Sequence, residues 1–194
     1  VLIFLPETLD PSAKRAARRH PLNLASLRDA VSHAFIGACL VIVFLIIFGF
    51  SNFETTFAQF AVAERGFTLK TVPWLFAYAG VLGALVQGGL IRRLAPLFGE
   101  VKLVIGGNFL SFAALLAIPV FPGRAALYTL LAVIALGQGL ASPALSALVS
   151  KLVNPNEVGG VMGVYQGMSS LARVVAPFVA QVAYDYDRAW PLWI

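Results

Sequence analysis

Charge is scarce in this chain. Only 12% of its residues are Asp, Glu, Lys or Arg, against about 25% in an ordinary soluble domain. A soluble protein of 194 residues could bury a good core, but it could not cover its surface with so few charges. With 59% hydrophobic residues, the class is all-α integral membrane protein. A single cysteine, Cys39, lies in an apolar run, which excludes a disulfide within the chain and suggests no thiolate metal site. The two histidines, His20 and His33, lie in the polar N-terminal region without the clustered ligands a metal needs, and read as solvated or interfacial. The motifs GxxxxGK[ST], HExxH and GxSxG are missing, so soluble-enzyme chemistry and a bound cofactor are not expected. Gly137 and Gly139 give only GxGxxS, inside an apolar helical pattern rather than after a strand, and a dinucleotide site fails on that context.

What is present is a series of long apolar segments. The net charge of +5 and a pI near 9.7 would suggest nucleic acid on another composition. Here the basic residues fall in the loops, where they set topology and meet anionic headgroups. Residues 1–5 (VLIFL) read as the end of a preceding membrane segment, and the terminal AWPLWI as the first turn of another, so a longer parent protein is expected. Residues 6–33 form a polar connector with five basic residues, and Ser26 with Asp29 resembles a capping box for the next helix. Five complete spans are expected from residue 34 onward: Ala34–Phe57, Pro73–Ile91, Leu103–Val120, Ala125–Val149 and Val161–Ala183. A basic loop, IRRLAPLFGEVK, separates the second from the third.

Charge orients them. The connector and the loops on its side hold nine Lys and Arg, the opposite loops hold four, and Arg173 accounts for the remaining one. The positive-inside rule then places the connector in the cytoplasm of a cell that carries this protein in its inner, or plasma, membrane.

The stretch from Gly137 to Pro177 carries the residues least explained by greasiness. Gly159, Gly163 and Gly167 repeat every four residues and would make a flat face for close helix packing, as would Gly80 with Ala84 and Gly88 on the second span. Gln166, Ser170, Arg173 and Pro177 step by four, three and four, a polar stripe on an adjacent face. Arg173 is about twelve residues from the near end of its span, or ~18 Å, close to the middle of a ~30 Å hydrocarbon core. It therefore either anchors sister helices through their carbonyls or lines a water-filled cavity. Glu54 reads either as an interfacial carboxylate or as a protonatable, substrate-facing group. Gln138 and Ser142 share a face with Pro143, and a proline-kinked helix is a natural hinge, as it is at Pro177. Gln87 and Asn108 suit interhelical hydrogen bonds.

These segments resemble the C-terminal half of a major facilitator superfamily transporter. GGLIRRLAPLFGEVK is similar to the second copy of that family's cytoplasmic signature, with Gly88, Gly89, Arg92 and Arg93 as its gating turn, although the usual acidic residue is absent after Gly89. GQGLASPALSALVS, GVYQGMSSLARVVAP and NFETTFAQF resemble helices ten, eleven and the outer end of seven in bacterial drug:proton antiporters of the tetracycline-exporter type. Ala176-Pro177 stands where relatives often have Gly-Pro. The resemblance implies the C-terminal six-helix half of that fold, with five complete helices plus terminal stubs. Its partners would be the bilayer, the N-terminal half of the same transporter, a small-molecule substrate and protons, with no nucleic acid. Glu54, Gln138, Ser142, Gln166, Ser170 and Arg173 would line the cavity, and Arg92 and Arg93 would latch one state through carboxylates or helix C-termini. Two alternatives stay open: a facilitator or importer of a polar metabolite on the same fold, and a non-transporting membrane sensor or assembly subunit.

Overall fold

A computed structural model describes residues 34–155 and 157–187. The connector at 6–33, the terminal stubs and the expected cap at Ser26 lie outside the described residues. Five helices account for nearly all of the rest: α1 (Ala34–Arg65), α2 (Val72–Phe98), α3 (Glu100–Val120), α4 (Arg124–Leu152) and α5 (Val158–Tyr186). The first four are long and apolar enough to cross a membrane. The fifth, at 29 residues, is long enough, but Gln166, Arg173, Gln181 and a row of small residues dilute its apolar character, so it is not among those four.

The helices overrun the expected spans at most ends, for identifiable reasons. The run Ser51 to Gln59, expected to end the first span, is mid-helix. Its polar side chains bond back into their own helix: Asn52 Nδ2 donates to the Phe48 carbonyl at 2.8 Å, Thr55 Oγ1 to that of Ser51 at 2.7 Å and Thr56 Oγ1 to that of Asn52 at 3.0 Å. With 32 residues, α1 is ~48 Å long and outreaches the bilayer core. The expected basic loop is also mostly helical, since Ile91–Phe98 continues α2 and only Gly99 turns the chain. Gly99 sits at φ +77°, a conformation that lets α3 begin at the next residue and that other residues adopt with strain. Pro143 and Pro177 lie inside unbroken helices.

Two pairings build the bundle, α3 with α4 and α1 with α5, and α4 touches every other described helix. The apolar core falls into two clusters. One, at the end holding the 66–71 loop, packs Phe53, Phe57 and Phe60 of α1 with Leu75, Ile118, Leu127 and Leu131. The other, at the Gly99 end, packs Ile36, Leu40 and Val43 with Leu145, Val149, Val161 and Tyr165. Between them along α1 lie the buried polar residues Ser51 and Asn52, with buried Thr56 one turn further on, among the phenylalanines.

The closest helix approach is made by glycines. A Cβ on Gly107 would lie 2.5 Å from the Gly137 carbonyl oxygen, and one on Gly137 would collide with Ser111 Oγ and the Gly107 carbonyl. Neither has room for a methyl group, which fuses α3 to α4. Gly139, about 200° round the same helix, admits a different neighbour, Val86 of α2, whose Cγ1 would be 2.8 Å from a Cβ there.

Candidate functional site

The site begins with the two sides of α5. Its buried side is Val161, Tyr165, Ser169, Ala172, Ala176, Ala180 and Ala183, a strip stepping by three and four that lies against α1. Alanines let the two backbones approach. The rest of the helix surface carries Gly159, Gly163, Gly167, Gln166, Ser170 and Arg173, all exposed, with Pro177 half-buried. A Cβ on Gly159, Gly163, Gly167 or Gly80 would meet no atom within 4 Å. Among the described residues these glycines do not make the close packing expected of them; on α5 the alanine strip has taken α1 on another face. Glycines and polar stripe thus share one open surface.

Helices α1 and α5 run parallel, which sets Glu54 near the level of Arg173. Ile36 and Val43 share a cluster with Val161 and Tyr165 near one end, and Gln59 Nε2 donates to Gln181 Oε1 at 3.3 Å toward the other. In that register Glu54 stands about one turn from the level of Arg173 on the neighbouring helix, with no hydrogen bond or ion pair among the described residues joining the two. Pro177, which has no N–H, leaves the Arg173 carbonyl without its usual helical donor, so a free acceptor accompanies the guanidinium.

Other expected residues are not drawn in. Gln138 is half-buried on α4 between the two glycine notches, and Ser142 is exposed one turn on. No hydrogen bond or ion pair among the described residues joins either to Glu54 or Arg173. Gly88 and Gly89 sit in a π-helical segment of α2, Val86–Leu90, and Arg92 and Arg93 are exposed on the helix beyond it. The ion pair at that end is made instead by Lys151 in the last turn of α4 and Glu100 in the first turn of α3. Asn108 bonds within its own helix, to the Val104 carbonyl at 2.8 Å, rather than across helices.

Three residues escaped the sequence reading. Asn52 is fully buried and its Oδ1 has no partner, an expensive state in an apolar interior. Arg65 donates to the carbonyls of Ile118 at 2.6 Å and Pro119 at 3.3 Å, at the C-terminal end of α3, while its guanidinium lies over Phe60. Arg124 donates to the Gly66 carbonyl just beyond α1, over Phe67. Each arginine meets a helix C-terminus, where free carbonyls and the helix dipole favour a cation. Counted as loop charges, they gave no sign of this.

Five long helices, four of them membrane spans by length and composition, make this a multi-pass membrane protein. The chain belongs to the Major Facilitator Superfamily, which it matches over residues 1–177; this is a family of transporters, and the chain is not an enzyme. It is 28% identical over 156 residues to Multidrug resistance protein 1 of Bacillus subtilis (strain 168), covering 78% of this chain and 40% of that protein. It is 26% identical to Multidrug resistance protein 2 of the same organism, covering 98% of this chain and 48% of the relative. With Major facilitator superfamily domain-containing protein 10 of Mus musculus it shares 29% identity over 95% of this chain and 44% of the relative. The chain spans less than half the length of each of these relatives.

Proposed function

We propose that the chain is the C-terminal six-helix half of a proton-coupled exporter of small amphipathic, drug-like compounds, working by alternating access. The observation that carries this reading is the open polar surface of α5. Gln166, Ser170 and Arg173 lie exposed along a helix in a membrane bundle, with the exposed Glu54 of α1 about one turn from the level of Arg173. An uncovered arginine at such depth needs a water-filled cavity or a covering protein, and a second six-helix half supplies both at a midplane site. Kinship with two multidrug resistance proteins, of which the match covers 40% and 48%, supports both the missing half and the substrate class. Glu54, Gln138, Ser142, Gln166, Ser170 and Arg173 form this half's wall of the cavity, with Glu54 as its proton-carrying group. The connector faces the cytoplasm of the plasma membrane.

The test uses the complete transporter in everted membrane vesicles with ethidium as probe. Arg173→Ala is expected to cut ethidium accumulation at least tenfold at unchanged protein level. Equal loss of protein and activity would instead make Arg173 a structural anchor. Collapsing the pH gradient with nigericin is expected to stop accumulation; continued accumulation would remove proton coupling from the proposal.

A further inference from the structure

Within α2, the residues Val86–Leu90 close as a π-helix between two α-helical stretches, Val72–Leu85 and Ile91–Phe98. A π turn holds one residue more than the α turn it replaces, and such turns are rare and concentrate at functional positions. Its beginning is pinned: Val86 is buried and seated in the notch that Gly139 leaves on α4. Little holds the remainder of α2. A Cβ on Gly88 or Gly89 would meet nothing within 4 Å, and none of the eight residues Ile91–Phe98 is buried. Pro96 withholds a hydrogen bond from the Arg92 carbonyl, loosening that short helix further. The chain then turns at Gly99, at φ +77°, where a residue without a side chain can change backbone region at little steric cost and so can serve as a swivel. Beyond the swivel α3 is fixed, through its Gly107 seam with α4 and the Glu100–Lys151 ion pair. A short, lightly packed helix carrying Arg92 and Arg93 therefore hangs between a fixed point and a swivel, with a surplus residue stored beside two unhindered glycines.

We propose that this π turn is a rotary switch. When the surplus residue passes from Val86–Leu90 to the swivel at Gly99, Ile91–Phe98 turns by about 100° and moves about 1.5 Å along its axis. Arg92 and Arg93 are then aimed at a different neighbour in each state. Adjacent glycines suit this role because they add no side-chain obstacle to either turn. The inference rests on the alternating-access reading above, in which the ends of the helices must adopt two arrangements.

The experiment uses the complete transporter in lipid nanodiscs, in a Cys39→Ala background, with spin labels at Arg93→Cys and Lys102→Cys. Distances are measured at pH 7.5 and at pH 5.5 with tetraphenylphosphonium. Two label-to-label populations at least about 5 Å apart are expected, with proportions that change between the conditions, since a 100° turn displaces a side-chain tip by about 1.5 helix radii, roughly 8 Å. Deleting Gly88 should leave a continuous α-helix, one population and at least a tenfold loss of transport. Gly88→Ala, which keeps the residue count, should retain both populations and transport within twofold. A single wild-type population under both conditions overturns the switch, as does normal transport by the deletion. If the deletion does not reach the membrane, the wild-type distances alone decide. Distances that switch in a wild-type protein that transports neither ethidium nor tetraphenylphosphonium would sink the exporter reading and leave the switch standing.

Discussion

The α3–α4 and α1–α5 pairs use small residues in opposite ways. Between α3 and α4, glycine meets glycine: Gly107 and Gly137 face each other so closely that neither could carry a methyl group. On α5 the glycines are more regular, at 159, 163 and 167, yet nothing lies over them and alanines make the contact with α1. The small-xxx-small pattern states that a helix can be approached closely. It does not state from which side, or by what. A seam closes where both partners offer glycine at one level, whereas a glycine face with no counterpart stays open for a partner outside this bundle.

Substitutions can break that contrast in graded steps. The largest effect on folding is expected from Gly137→Leu. Its side chain would enter the Gly107 backbone and Ser111, and overpacking that cannot relax costs about 3 kcal/mol or more. Membrane-integrated protein should fall severely, as read by size exclusion of a fluorescent fusion. Gly163→Leu sharpens the comparison from the other side: the protein level should hold while transport by the complete transporter falls about tenfold (~1.4 kcal/mol). Loss of protein there would mean that the α5 face is structural after all. Arg65→Ala removes two donors from the end of α3 and should lower stability by about 1–2 kcal/mol, allowing for the partial exposure of the guanidinium, visible as a lowered Tm. The smallest effect is expected from Asn52→Leu. It removes a buried oxygen with no partner and, against that gain, the Nδ2 bond to the Phe48 carbonyl, so Tm should shift by the equivalent of no more than about 1 kcal/mol either way. A sharp fall would reveal a bond that Asn52 makes in another state of the transporter.

The number and order of the helices were legible because apolar run length is a direct signal. Their ends were less so. The run from Ser51 to Gln59 looks like a terminus only if its polar groups need water, and Asn52, Thr55 and Thr56 instead spend them on their own helix. IRRLAPLF looks like a loop because of its arginines and Pro96, yet it forms an amphipathic end to α2. The stripe Gln166–Ser170–Arg173 was readable from spacing within one helix, and the three residues do share a face. The placing of Glu54 near the level of Arg173 was not, because it depends on the parallel register of two helices far apart in the chain. The same holds for the arginine clamps. A carbonyl at the end of another helix has no sequence signature, so Arg65 and Arg124 carried only their charge.

Gly137, Gln138 and Gly139 also bear on how this sequence can change over time. Two notches that serve different neighbours are cut into one helix two residues apart, so their spacing and their phase are fixed together. Inserting or deleting one residue ahead of them in α4 would turn both by about 100° and misalign both α2 and α3 at once. Length variation among descendants should therefore collect around Gly123 and just beyond the end of α4 at Leu152. Chimaeras with relatives should cross over at those two places, and crossovers inside α4 should fail even where the exchanged residues are individually tolerated.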